Sequence, residues 1–144
     1  MLVRKSKAVW QGNLTEGKGR MAVGSSGLEF AFSFGTRFAN EPGSNPEELI
    51  AAAHAGCFSM AFSHALAQAG YTPLSVATEA RVSMDKTAEG FTIVRSDLVT
   101  EADVPGIDAA LFTRLAEEAK KGCPVSRALR AIEVTLQATL KPQG

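Results

Sequence analysis

Residues 45–70 read NPEELIAAAHAGCFSMAFSHALAQAG, and the fold turns on this stretch. Asn45 can accept a hydrogen bond from the free N–H groups of a first helical turn, Pro46 suits the first helical position, and Glu47 and Glu48 lie where the helix dipole favours anions. Gly70 follows the last periodic residue and Pro73 stands just beyond it. The spacing therefore predicts a helix over about 46–69, spanning roughly 36 Å. Leu49, Ile50, Phe58, Met60, Phe62 and Leu66, with many alanines, leave His54, Ser59, Ser63, His64 and Gln68 as polar interruptions. A helix apolar on nearly every side belongs in a core or in a tight interface between subunits. The length would also suit a membrane span, but two histidines and a glutamine argue against lipid contact, and no second such stretch exists.

Working outward, 144 residues predict one domain, large enough to build a core without metals or disulfides. Lys+Arg and Asp+Glu each number 15, which removes the electrostatic case for nucleic acid. Residues 1–12 carry charge without the apolar run of a secretory signal, so a cytoplasmic protein is expected. In a reducing compartment, two cysteines 66 positions apart are buried fillers or redox chemistry rather than a structural disulfide.

Residues 7–12 and 19–24 read as strands about the turn NLTEGKG, and LEFAFSF as a third, with Leu28, Phe30, Phe32 and Phe34 alternating with Glu29, Ala31 and Ser33. GTRFANEPGS is expected to be a loop carrying Arg37 to the start of the long helix. Beyond the helix, SVATEARVSM alternates again. Its partner strand at 91–101 slips phase between Ile93 and Val94, through either a bulge or burial on both faces. Asp108 is expected to cap a helix with Leu111, Leu115 and Ala119 on one stripe, Glu117 and Lys121 paired outside, and Gly122 at its end. A short helix follows with Cys123 at its cap and Pro124 at its first position. AIEVTLQATL closes the chain as a strand with Ile132, Val134, Leu136, Ala138 and Leu140 on one face. This grouping of strands and helices predicts an α+β fold.

Two thiols could carry chemistry. Cys123 sits where the N–H groups of a helix start converge, which favours thiolate. Cys57 lies mid-helix, where burial disfavours thiolate, and needs an outside cation to react; Arg37 is a candidate. Free cysteines are also often simply small hydrophobes. His54, three residues before Cys57, could complete a Cys–His nucleophile or half a metal site. His64 is about 15 Å away along the axis and no CxxC is present, so a core histidine bonded to a carbonyl or Ser hydroxyl is the favoured reading. Glu47 and Glu48 suffice as cap charges, and the phenylalanines at 30, 32, 34, 38, 58 and 62 could form core or line an apolar pocket. No phosphate loop, GxSxG or paired metal carboxylates support a kinase, hydrolase or nucleotide enzyme.

NPEELIAAAHAGCFSMAFS followed at this separation by GCPVSRAL resembles the OsmC/Ohr family of bacterial thiol peroxidases. GKG, TRF, VPGID and the closing strand extend the likeness over essentially the whole chain, and the HAGC and CPVS forms are similar to the osmotically inducible protein C branch. The resemblance implies a single OsmC-like domain over 1–144, an intertwined homodimer in which the long helix packs against antiparallel sheet, and reduction of organic hydroperoxides to alcohols as an antioxidant stress response. By position, Cys57 matches the peroxidatic cysteine, Cys123 the resolving one, Glu47 the acid of the NPE motif and Arg37 the arginine of this branch. In the sister branch the arginine comes from the first hairpin, where Arg20 stands here, and Arg37 is preferred. Phe30, Phe32, Phe34 and Phe58 would form the substrate wall. The implied chemistry passes through a Cys57 sulfenic acid and a Cys57–Cys123 disulfide that a dithiol reductant, such as a lipoyl-type one, reopens, with no metal, haem or flavin and no nucleic-acid or membrane partner. Spacing alone points to Cys123 as the activated thiol, whereas the resemblance points to Cys57. A redox sensor or an apolar-ligand binder without turnover remains an open alternative.

Helix geometry adds one expectation. Ten residues of continuous helix put Glu47 and Cys57 about 15 Å apart along the axis and some 80° apart around it. If both serve one site, they come from different chains of a two-fold dimer.

Overall fold

The alternating segments at the start of the chain fold as an antiparallel meander. In the computed structural model, which describes residues 1–143, β1 (Lys7–Gln11), β2 (Lys18–Val23) and β3 (Leu28–Phe32) pair in that order. Gly19 stands opposite both Trp10 and Phe32, whose ring centroids lie 5.2 Å apart. A Cβ at Gly19 would overlap the Phe32 ring, so this glycine is what lets the aromatic pair settle on the sheet.

The third strand stops at Phe32, two residues short of the alternating pattern, and the expected loop contains a helix, α1 (Phe34–Phe38). The cause is a reciprocal cap: Ser33 Oγ accepts from the Thr36 N–H at 3.2 Å, and Thr36 Oγ1 accepts from the Ser33 N–H at 2.9 Å. Two orphan donors of the helix start are thereby satisfied, which outweighs one further residue of strand alternation. Thr36 Oγ1 also donates to the Ser44 carbonyl at 2.7 Å, and Asn45 Nδ2 donates to the Thr36 carbonyl at 3.1 Å. Asn45 Oδ1 accepts from the Glu48 N–H at 2.8 Å. The expected cap thus opens α2 (Pro46–Gln68) and ties its first turn to α1. The three strands, α1 and the first turn of α2 belong to a unit comprising Met1–Leu49.

The second unit runs from Ile50 onward. Within it, β4 (Ser75–Thr87) and β5 (Gly90–Asp103) form a long antiparallel hairpin. Ser83 pairs with Arg95 and Met84 with Ile93, leaving Val94 as an extra residue, so the phase slip is a bulge. Asp108 caps α3 (Ala109–Gly122), accepting from the Leu111 N–H at 2.9 Å, and α4 (Pro124–Ala128) follows. Glu117 meets Lys120 at 3.2 Å rather than Lys121, while Arg114 and Glu118 form the i,i+4 pair.

The closing strand β6 (Glu133–Leu140) lies parallel to β5. In this second sheet the expected antiparallel arrangement therefore holds for β4 and β5 but not for β6, because the two helices between β5 and β6 return the chain to the end from which β5 started. His54, Phe58, Phe62 and Leu66, spaced four apart on α2, are fully buried. Phe58, Phe62 and Leu66 join Leu98, Ala102, Val104, Phe112, Leu115, Ala116, Ala119 and Cys123 in one core. Phe62 meets Phe112 edge-on at 5.2 Å. Other sides of α2 stay open: Met60 is 77% exposed and a Cβ on Gly56 would meet nothing. By length and composition alone this helix could cross a membrane.

Candidate active site

Cys57 and Cys123 are 66 positions apart in sequence and in contact in the fold. Both are free thiols, Cys57 half-buried and Cys123 fully buried, and Cys57 packs against the core cluster that contains Cys123. The Val125 backbone, on the first turn of α4, also lies beside the Cys57 thiol. Burial pushes the Cys57 thiol above its ordinary pKa and the Cys123 thiol beside it adds to the rise, while the Val125 N–H acts in the opposite sense. The rise agrees with the expectation that burial disfavours thiolate at a mid-helix cysteine.

His54 lies one turn before Cys57 on α2. Its Nδ1 is 2.7 Å from Ser96 Oγ on β5 and its Nε2 is 2.7 Å from Ser126 Oγ on α4. Burial holds its pKa down, so the neutral ring supplies one N–H and one lone pair to two hydroxyls. Among the described residues no His/Cys/Asp/Glu cluster could hold a metal ion. Sequence reasoning missed Val125, Ser96 and Ser126. The one signal for them was symmetry of spacing, since Ser126 follows Cys123 by three residues as His54 precedes Cys57 by three.

The two remaining expected site residues meet in the first unit. Arg37, in the last turn of α1, donates through Nη2 to Glu47 Oε1 at 2.6 Å and through Nε to Glu47 Oε2 at 3.1 Å. This two-pronged pairing fixes the guanidinium plane, and the Glu47 side chain is only 12% exposed. The contact follows from the ties between α1 and the start of α2, because Arg37 neighbours Thr36 and Glu47 lies two residues past Asn45. Arg20 instead pairs with Glu29 across β2 and β3 at 3.1 Å, with both side chains more than half exposed.

Of the four phenylalanines expected to form a wall, two line one groove of the first unit. Phe32 and Phe34 line a groove of about 290 Å³ with Trp10, Leu14, Phe38 and Arg37, and Arg37 lies over the Phe38 ring at 5.6 Å. Phe30 lies on β3 opposite Met21. Phe58 is 0% exposed and packs on Phe62 at 5.7 Å, because its four-residue spacing from His54 and Phe62 puts it on the buried stripe. Trp10 and Leu14, overlooked in the sequence, complete the groove in its place.

A family model described as OsmC-like protein matches residues 39–137. Over 139 residues the chain is 50% identical to peroxiredoxin OsmC of Escherichia coli, covering 96% of each sequence. It is 38% identical over 96 residues to an organic hydroperoxide resistance protein of Xanthomonas axonopodis pv. citri, covering 65% of this chain and 66% of that one. Among solved structures, the organic hydroperoxide resistance protein OhrB of Bacillus subtilis superposes with a TM-score of 0.71 at 28% identity, covering 95% of this chain and 98% of that one. Sequence, family match and backbone agree, and the chain belongs to the OsmC-like protein family.

Proposed function

We propose that this protein is a thiol-dependent peroxidase that reduces organic hydroperoxides to alcohols, with Cys57 as the attacking thiol and Cys123 as its resolving partner. The contact between the half-buried Cys57 and the fully buried Cys123 carries this reading. A peroxide diffusing in from solvent can reach the first thiol and not the second, which favours Cys57 over the helix-cap position of Cys123. Cys57 thiolate attacks the distal oxygen of ROOH, giving the sulfenic acid and RO⁻, which takes a proton to leave as ROH. Cys123 then attacks Cys57 Sγ, a disulfide forms and the sulfenic oxygen departs as water. A dithiol, for which a lipoyl-type compound is our candidate, reduces the disulfide by two exchange steps and is itself oxidised.

Burial raises the pKa of Cys57, which a nearby cation would oppose, and we assign that task to Arg37, held by Glu47. The dimer implied by the family likeness would supply the pair from the second subunit. The apolar sides of α2 left open around Met60 and Gly56 support such an interface. We take residues 1–144 to act as one OsmC-like domain in the cytoplasm, where thiols stay reduced. In that setting the aromatic groove beside Arg37 would receive the alkyl part of the peroxide.

The test is titration of the reduced protein with cumene hydroperoxide. One equivalent should convert two thiols per chain to an intrachain disulfide. Cys57→Ser should abolish consumption, and Cys123→Ser should consume about one equivalent and then over-oxidise to sulfinic acid. Crosslinks between chains, or peroxide consumption by Cys57→Ser, would refute the assignment.

A further inference from the structure

Cys57 and Cys123 are joined by a second contact that contains no sulfur. His54 and Cys57 are three apart on α2, Ser126 and Cys123 are three apart along α4, and the pairs match in antiparallel order: His54 with Ser126, Cys57 with Cys123. Each helix therefore contributes two tie points about one turn apart, roughly 4.5 Å along the axis. Alpha-helix α4 needs such ties. It has five residues and no side-chain cap, too short to persist alone.

We propose that His54 is a positioning residue for disulfide formation: bonded to Ser126 and braced by Ser96, it keeps α4 and Cys123 against Cys57 while the sulfur changes oxidation state. The inference rests on the cysteine roles given above. When Cys57 Sγ takes up oxygen, its interactions with the Cys123 thiol and the Val125 backbone must rearrange, because donor and acceptor roles at sulfur change. The imidazole–hydroxyl bond takes no part in that chemistry and survives it. Ser96 lies on β5, the strand with a neighbour on either side, pairing with Val82 and Val134. The ring is thus anchored to the middle of the sheet, and both serines are buried, Ser96 at 0% and Ser126 at 7% exposure. A ring held at both nitrogens cannot rotate, so its reach to α4 is fixed.

The experiment separates the two nitrogens. The amide nitrogen of glutamine occupies the place of Nε2, and that of asparagine the place of Nδ1. His54→Gln keeps the bond to Ser126 and should retain near-normal resolution. His54→Asn and Ser126→Ala should each slow Cys57–Cys123 disulfide formation roughly fivefold or more, the order of one lost buried hydrogen bond, and the double variant should be no slower than either. After cumene hydroperoxide, the readout is the ratio of disulfide to dimedone-trapped sulfenic acid and sulfinic acid, by mass spectrometry. A parallel arm uses diamide, which oxidises the two thiols to a disulfide while becoming the hydrazine, and so reports their approach without any peroxidase chemistry. Slow closure in both arms for Asn and Ala, with rescue by Gln, supports the proposal. Unchanged closure with diamide overturns it whatever happens with peroxide. Equal loss in Gln and Asn, tracking thermal stability, also overturns it by reducing His54 to core filling. Normal diamide dependence without a peroxide-induced disulfide in the unsubstituted protein would sink the cysteine assignment and leave the tie itself standing.

Discussion

Mixing two inactive proteins should restore activity, and the size of the recovery follows from geometry. Glu47 and Cys57 lie on one continuous helix, Pro46–Gln68, and ten residues of helix carry them about 15 Å apart along the axis and some 80° apart around it. A glutamate reaches only a few ångströms, so the proposed site, if it uses both, would draw them from different subunits of a two-fold dimer. Cys57→Ser removes the attacking thiol, and Glu47→Ala releases Arg37 from its two-pronged hold. In a heterodimer of the two, one site carries both defects and its mate carries neither. After full exchange of an equal mixture, about half the dimers are heterodimers with one intact site of two, so activity should rise to about a quarter of the unsubstituted value. The assay is cumene hydroperoxide consumption with dihydrolipoamide, with exchange verified by native mass spectrometry of differently tagged subunits. Exchanged mixtures whose activity is only the mean of the separate variants would refute the shared site.

Two further outcomes are expected. An alkyl or aryl group that buries roughly 60 Å² in the groove of Trp10, Phe32, Phe34 and Phe38 gains about 1.5 kcal/mol, so kcat/KM for cumene hydroperoxide should exceed that for hydrogen peroxide by about tenfold or more. Trp10→Ala should erase most of that margin, and equal values in the unsubstituted protein would remove the groove from the mechanism. Burial lowers the pKa of His54, so the unfolded chain binds a proton that the folded chain refuses. The stability concerned is complete above the unfolded value near 6.5 and falls as pH drops below it, by at most about 1.4 kcal/mol per pH unit. Urea melts at pH 7.5 and 5.5 should reveal the loss, and His54→Gln should flatten that slope.

Much of this was legible in the sequence because the signals were local. Asn45, Pro46 and Gly70 bracket α2 to within a residue of its ends, and the phase slip at Ile93 and Val94 located the bulge. What local patterning could not carry was competition and direction. Phe34 fits a strand by alternation, yet the cap made by Ser33 and Thr36 claims it for α1. Beta-strand β6 alternates equally well in either orientation, and only the length of the connection before it makes parallel pairing possible. The phenylalanines could be read as core or as pocket, and for Phe58 the helical spacing from His54 and Phe62 decides for the core. Arg37 and Glu47 were each singled out by the family likeness, and they pair in the fold. The structure adds its cause, the hydrogen bonds by which Thr36 and Asn45 join the two helices.

Parallel pairing of β5 and β6 also sets an order of events for a newly made chain. The hairpin of β4 and β5 turns between Thr87 and Gly90 and closes within microseconds. Beta-strand β6 can dock only after residues 104–132 have looped across, an entropic cost of roughly 3 kcal/mol before any contact rewards it. Cys123 lies inside that loop. During synthesis Cys57 is therefore exposed for some time as a solitary, ordinary thiol, and the two sulfurs become neighbours only in the last and slowest stage of folding. A chain that stalls before that stage holds no closed redox couple, so oxidant would leave it as a mixed disulfide or a crosslinked misfold, and the finished enzyme would be the only form that consumes peroxide cleanly.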